Sequence, residues 1–327
     1  PFSEIGSYSK IFKTSKTTNI ETRRMANPLQ TIKKVIKKCI KSYDEDFYLV
    51  DWDLAQIELR MFTSLAKDQG LIDKMMDGDT DFHTENGAKI FNVAPHLLPK
   101  SDRSKSKTVG FGVPYGLSPK ALCEWMFTEV NQKNMMATYE VLELYEKTNH
   151  LSMSLLKSFR AKAHEEAYMS PELRRFLRIE PNAPVAIIRN SNGFYRYQDM
   201  SNIRGDKGKE SSVERAFGNY PIQSFAADYF KYLLIRFDKR RRKEGLTEKI
   251  IFHLPIHDES LFSVHKSIDP NFIVKIVKEE CMLRLKGHTN YFLGLNFGEN
   301  WFECKQDEAE LPVKFLQRNC KAFDEGK

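Results

Sequence analysis

Apolar and polar positions follow two different periods along the chain, and each predicts a different kind of element. Phe47-Tyr48-Leu49-Val50-Asp51-Trp52-Asp53 is a short apolar run closed by carboxylates, which predicts a buried strand. Side chains alternate across a strand, so Asp51 and Asp53 share one face. A helix is expected at once, from Gln56 through Phe62, with Leu65 continuing its apolar side. A carboxylate at such a strand-to-helix turn either holds a metal or caps the helix N-terminus. Two further apolar runs, Lys249 to Ile256 and Ser260 to Val264, bracket His257-Asp258-Glu259 and predict a hairpin that thrusts carboxylates out at its tip. Ala186-Ile187-Ile188 and Phe194-Tyr195-Arg196-Tyr197 are strand-like runs around the turn signal Asn190-Ser191-Asn192-Gly193.

Helical periods fill much of the rest. Lys33, Lys34, Lys37, Lys38 and Lys41 interleave with Ile32, Val35, Ile36, Cys39 and Ile40, which predicts a helix with a solvated basic face, or a surface that tracks phosphates. From about Asn131 to Tyr168 the pattern is amphipathic, and Pro171 to Pro184 breaks it. Ser201 to Ser212 is polar and reads as a mobile loop. A helix is expected to open at Pro221, with Ala226, Phe230, Leu233, Leu234 and Phe237 as its apolar stripe and the basic cluster Lys239 to Lys243 at its end. Another spans Asn271 to Leu285. The acidic break Asp77-Gly78-Asp79-Thr80-Asp81 does not have the ligand spacing of a calcium loop.

One helical stretch has a second pattern laid over the first. Arg103, Lys107, Phe111 and Tyr115 stand four residues apart, so a helix places two cations and two aromatics along one face, with Arg103 and Phe111 about 12 Å apart. Such a stripe is either a packed helix with a basic end or a surface that grips a triphosphate at one end and a base at the other. Pro114 should stop or kink this helix just before Tyr115.

Composition narrows the function classes. With 327 residues, 41% of them hydrophobic, the chain is long enough for two or three lobes with their own cores. No apolar run approaches the ~20 residues of a membrane span, and no signal-peptide pattern opens the chain, so no membrane association and an intracellular location are expected. The five cysteines are scattered and form no CxxC pair, which argues for reduced thiols and against a zinc site. A formal net charge of +7 permits a polyanionic partner.

Two carboxylates, one after a strand and one at a hairpin tip, suit a pair of Mg²⁺ ions bridging the attacking and leaving oxygens of phosphoryl transfer. The cationic and aromatic helix between them adds charge neutralisation and base stacking, which together describe nucleotidyl transfer.

Asp53-Leu54-Ala55-Gln56-Ile57-Glu58-Leu59-Arg60 resembles the first metal motif of the family A DNA polymerases, usually DYSQIELR, and the intact QIELR frame makes Asp53 rather than Asp51 the catalytic position. Arg103-x3-Lys107-x3-Phe111-x3-Tyr115-Gly116 is similar to that family's nucleotide-binding helix, with Pro114 an unusual residue there. Glu214-Arg215 to Asn219 and Pro221-Ile222-Gln223 to Asp228 resemble its primer-template block. His257-Asp258-Glu259 matches its second metal motif, and Gly298-Glu299-Asn300-Trp301 its closing segment. The blocks follow the family's order, from about residue 22 to 305. Residues 150 to 185 are longer than usual.

The resemblance implies an α+β right-hand polymerase fold with an antiparallel palm sheet and a helical fingers subdomain. The first part of the palm would be residues 1–70, the fingers 71–212 with the nucleotide-binding helix at about 102–114, the second part of the palm 213–305, and a C-terminal tail 306–327. The chain has no room for the family's thumb or for a proofreading exonuclease, which would lie upstream or in a separate chain. It implies a DNA-templated DNA polymerase acting in replication or repair on primer-template DNA and dNTPs. Two Mg²⁺ ions, with Mn²⁺ as a substitute, would be held by Asp53, Asp258 and the Leu54 carbonyl. Lys107 would bind the triphosphate and protonate the leaving pyrophosphate, Arg103 would grip the outer phosphates, and Phe111 would stack on the base. Tyr115 would sit at the templating position, and Glu58 would exclude a 2′-hydroxyl. Gln56 and His83 would neighbour the phosphates. Arg24, Arg215, Asn219, Gln223 and His257 would meet the DNA, with Glu259 beside the metals. The Lys-rich divergence and compact plan are those expected of a bacteriophage enzyme working in the cytoplasm of its host. The alternatives are a single-subunit RNA polymerase, disfavoured by Glu58 and Glu259, and a non-catalytic DNA-binding derivative, disfavoured by the joint presence of Asp53, Asp258, Lys107 and Arg103.

Overall fold

The computed structural model describes residues 32–76, 81–127, 129–281 and 285–305. Arg24, most of the acidic break and the tail 306–327 lie outside them.

Strand β1 (Phe47–Leu54) forms where the apolar run predicts, with Asp53 inside it rather than beyond its end. After the small hairpin of β2 (Val185–Arg189) and β3 (Tyr195–Asp199) come β4 (Ile250–Ile256), β5 (Glu259–His265) and β6 (Leu293–Gly298). The last three join β1 in an antiparallel sheet of order β4-β5-β1-β6. Asp53 stands opposite Glu259 on one side and Gly294 on the other.

Both faces of β1 are covered. Val50 and Trp52 point into the main core, where Trp52 meets Phe230, Phe237 and Phe262 at ring distances of 5.5 to 6.1 Å. Leu49, on the opposite face, packs in a smaller cluster with Ile256, Leu261, Trp301 and Cys304. Period two therefore puts Asp51 and Asp53 on the second face, and Asp51 is completely buried there.

Helix α1 (Ile57–Leu65) follows β1 through Gln56, whose left-handed φ of 52° makes the corner. Gln56 occupies the N-cap position, so neither aspartate serves as the cap. A helical layer comes next: α2 (Gln69–Lys74), α3 (Phe82–Ile90), α4 (Lys100–Gly112), α5 (Pro119–Phe127), α6 (Gln132–Thr148), α7 (His150–Ala161) and the short α8 (Pro171–Phe176). The long amphipathic pattern is thus two helices broken at Asn149, and its expected breaker, Pro171, instead starts α8 in the first-turn position that proline tolerates.

Helix α9 (Lys207–Lys243) crosses from the helical layer to the sheet and corrects two expectations. The last part of the polar loop is helical, because Asp206 accepts bonds from the Gly208 and Lys209 amides and nucleates the first turn. The helix also runs straight through Pro221 rather than opening there. Phe217, Ile222, Ala226, Tyr229 and Phe230 are all buried along it, and that packing outweighs the one ladder bond a proline removes. Helix α10 (Pro270–Cys281) packs on α9, and α11 (Trp301–Cys304) closes the second face of the sheet; the next three residues of the expected helix after Cys281 lie outside the described residues.

The basic N-terminal pattern forms only a 3₁₀ turn, Lys34–Cys39, leaving Val35 and Ile36 exposed. Its Lys37 ammonium lies 3.6 Å from the centre of the Trp301 ring instead of in a row of solvated lysines. The four cysteines in the described residues are free thiols, as expected.

Candidate active site between the sheet and helix α4

Glu259 pairs with Ile256 across the β4–β5 hairpin, so only His257 and Asp258 form the turn. His257 takes the left-handed φ of 61° that so tight a reversal requires. Glu259 is therefore the first residue of β5 and not a tip residue; its side chain accepts a hydrogen bond from the Trp301 indole. The turn folds back onto β1, where the Leu54 amide donates to the Asp258 carbonyl at 3.1 Å. That bond brings the ends of the two predicted metal motifs together.

The Asp53 and Asp258 side chains keep 45% and 36% of their surface in solvent, which leaves both open to a cation. Burial raises the Asp53 carboxyl above the usual range; Lys305 opposes that rise, and Asp258 and Glu259 add to it. Two hard oxygen donors that repel one another fit Mg²⁺, which takes one or two carboxylates from a protein and completes its shell with water and substrate phosphates. Among the described residues no group of three or more His, Cys, Asp or Glu side chains forms a closed metal cage. Asp51, by contrast, is shut away from water; burial together with Glu259 lifts its carboxyl above the usual range, and the Lys305 ammonium beside it opposes that rise.

His257 faces two carboxylates. Its Nδ1 lies 3.2 Å from Asp258 and its Nε2 3.4 Å from Glu58, and these contacts raise the imidazole to about 10, so it is an imidazolium at neutral pH. The residue expected to touch the duplex is thus also what ties the hairpin turn to α1.

Helix α4 packs on α3, and its last turn, at Gly110, borders a cleft with Glu58 and Leu59 of α1. It ends at Gly112 because Pro114 has no amide to continue the ladder, and Tyr115 falls in the turn beyond rather than on the helix face. Arg103 and Lys107 are exposed one turn apart, and the Arg103 Nε lies 2.6 Å from Asp81, the N-cap of α3. His83, in the first turn of α3, is almost fully buried; burial, with Lys107 and Arg103 nearby, lowers its imidazole to about 4. The Phe111 backbone belongs to α4, and its side chain lies outside the described residues.

Beyond α4 the chain is clamped. Arg160 from α7 donates to the carbonyls of Val113 and Pro114 at 3.3 and 3.1 Å. Gly116 has a φ of 75°, and a Cβ there would fall 2.5 Å from the Arg215 side chain, so only glycine lets α9 approach. Arg215 in turn donates to Ser211 at 2.7 Å. Gln223 donates to the Tyr115 hydroxyl at 3.4 Å, and Glu58, His83, Tyr115, Asn219 and Gln223 line one cleft. Residues from three separate motifs, with His83 beside them, thus meet at one place.

Two participants carried no sequence signal. Lys305 stands among Asp51, Asp53 and Glu259, yet nothing in its spacing marks it. Arg160 was one basic residue among several on an amphipathic helix, and only the folded chain brings it to Pro114.

A carboxylate-bearing antiparallel sheet, joined through α1 to a cleft bordered by the end of a helix with Arg and Lys on successive turns, is the layout of a polymerase-type nucleotidyl-transfer domain. A family profile described as DNA polymerase family A matches residues 13–303, and the chain belongs to that metal-dependent family. It is 29% identical over 276 residues to DNA polymerase I of Streptococcus pneumoniae R6, covering 83% of this chain and 28% of the relative. With DNA polymerase I of Geobacillus stearothermophilus it shares 24% identity over 299 residues, 90% of this chain and 30% of the relative. The chain spans less than a third of the length of these relatives. Among solved structures it is similar to the POL domain of Pol1 from M. smegmatis in complex with DNA primer-template and dNTP, with a TM-score of 0.67 and 22% identity over 84% of this chain and 43% of that one. The right-hand polymerase fold, α+β with an antiparallel sheet, is thereby established.

Proposed function

We propose that this chain is the nucleotide-adding unit of a DNA-templated DNA polymerase, extending a primer 3′-hydroxyl with deoxynucleotides. The observation that carries the reading is the meeting of Asp53, on β1, with Asp258, in the β4–β5 turn, where His257 ties the turn to Glu58 at the cleft that the end of α4 borders. The S. pneumoniae and G. stearothermophilus relatives are DNA polymerases I, and the M. smegmatis domain binds primer-template and dNTP, which supports these partners for this chain. By this reading residues 1–70 and 213–305 are palm and 71–212 fingers.

Asp53, Asp258 and the Leu54 carbonyl would hold two Mg²⁺ ions. Bound there, the metal lowers the pKa of the attacking hydroxyl and neutralises charge on the phosphates. The chain's own groups orient the reactants. Arg103 grips the outer phosphates, exchanging its contact with Asp81 for them, and Lys107 neutralises the triphosphate and gives a proton to the leaving pyrophosphate. Gln56 and His83 border the phosphates, with His83 neutral as a hydrogen-bonding neighbour. Phe111 stacks on the incoming base, and Tyr115 holds the templating position until a template base replaces it. Glu58, fixed by His257, closes the space a 2′-hydroxyl needs. Arg215, Asn219, Gln223 and His257 meet the duplex, where minor-groove acceptors report pair shape without sequence. Arg24 is assigned to the same contact.

The test is primer extension with dNTPs and Mg²⁺. Asp53→Asn and Asp258→Asn should each abolish extension while duplex affinity stays near the parent's. Undiminished extension by Asp53→Asn would remove the metal assignment. Incorporation of ribonucleotides as fast as deoxynucleotides by the parent would point instead to an RNA polymerase.

A further inference from the structure

Three carboxylates converge on one ammonium beside the reaction centre. Lys305 Nζ lies 2.9 Å from Asp51, 3.2 Å from Glu259 and 3.4 Å from Asp53. Asp53 and Glu259 face each other across β1 and β5, and like charges in that position repel, so a cation between them is needed to hold the pair together.

Lys305 is not a passing surface lysine. It follows α11, whose N-cap Asn300 accepts from the Glu303 amide, whose Trp301 amide donates to the Ile40 carbonyl, and whose Trp301 indole donates to Glu259. The Lys305 side chain itself is only 21% exposed. Asp51 is fully buried, and among the described residues Lys305 is the cation in contact with it; a carboxylate so placed holds its charge only beside such a partner. The three anions differ in one respect that matters: Asp53 opens to solvent, whereas Asp51 does not. A dication can therefore displace Lys305 from Asp53, but nothing can follow it to Asp51.

We propose that Lys305, tethered by the buried Asp51, is a positioning residue of the phosphoryl-transfer centre: a fixed internal cation that holds Asp53 and Glu259 in place and competes with divalent metal for Asp53. The proposal rests on the reading of Asp53 as a metal ligand. Its consequence is a centre that binds metal less tightly than its carboxylates alone would, and so needs more of it to work.

Mn²⁺ binding to the protein, followed by electron paramagnetic resonance without DNA, reads this directly. Removing a unit charge a few ångströms from the ion should tighten binding, so Lys305→Gln is expected to bind Mn²⁺ about tenfold more tightly than the parent. Lys305→Arg, which keeps the charge, should match the parent. The Mg²⁺ concentration for half-maximal primer extension should fall in step for Lys305→Gln. Where Lys305→Gln folds poorly because Asp51 is left bare, the double variant Asp51→Asn/Lys305→Gln removes both charges and should still bind Mn²⁺ more tightly than the parent. If neither glutamine variant binds more tightly while Asp53→Asn weakens binding, Lys305 is a structural strut and the proposal falls alone. If Asp53→Asn leaves Mn²⁺ affinity unchanged, the metal assignment beneath it falls as well.

Discussion

His257 and Glu58 come from motifs 199 residues apart in the sequence, yet their side chains meet at 3.4 Å and join the hairpin turn to the first turn of α1. The contact holds a carboxylate in place at the edge of the cleft. If Glu58 excludes the 2′-hydroxyl, Glu58→Ala should raise ribonucleotide over deoxynucleotide incorporation by about tenfold or more, measured in single-turnover extension. His257→Ala, which leaves Glu58 in place but unanchored, should move the same ratio in the same direction by less. An unchanged ratio in Glu58→Ala would remove the gating role.

Gly116→Ala is expected to disturb DNA binding more than its size suggests. The φ of 75° costs an L-residue about 1 kcal/mol, and the added methyl would drive the Arg215 side chain out of its seat. Denaturant unfolding should report a modest loss of stability, and primer-template affinity should fall with it. Unaltered affinity would mean that Arg215 does not touch the duplex.

His83 makes stability depend on pH. Its imidazole is lowered to about 4, so between about 6.5 and 4 the unfolded chain takes up a proton that the folded one refuses. Its contribution is complete above about 6.5 and is lost as the pH falls toward 4, by up to about 3 kcal/mol. Urea unfolding of the parent and of His83→Gln at pH 7 and pH 4.5 separates this group from the rest: the variant should lose less stability over that interval.

Trp52 is the largest fully buried side chain on β1, with three phenylalanines around it. Trp52→Ala should cost about 3–5 kcal/mol, lowering the urea midpoint with little change in slope. Because Trp52 lies on the face of β1 opposite Asp51 and Asp53, a weakened but folded variant should retain its affinity for Mn²⁺.

Three of the four strands around the centre were legible because local pattern decides them, whereas β6 was not among the expected strands. An apolar run ending at Asp53, and a pair of runs around His257 and Asp258, leave few other ways to bury their side chains. Helix ends and tertiary partners were less so. Pro221 carries a strong local signal for a helix start, and burial of Phe217 and Ile222 on either side overrules it. The lysine pattern at residues 33–41 has a helical period, but Ile32 and Ile40 are the residues that pack on the sheet while Val35 and Ile36 stay exposed, and it shortens to one 3₁₀ segment. Tyr115 shares the spacing of Arg103 and Lys107 but not their helix, because spacing does not record that a proline intervenes in the ladder. Lys305 was beyond reach altogether: its importance comes from three carboxylates on two strands that only the finished sheet assembles.

Helix α9 spans about 55 Å, with α7 and the β2–β3 hairpin packed near one end and α10 near the other. Proline at 221 has no amide to offer the Phe217 carbonyl, so one rung of this long strut is missing in its first half. A beam bends where a cross-tie has been left out. The missing rung falls next to Asn219 and Gln223, so the weakest point of the shaft's own ladder lies beside the cleft that these residues line.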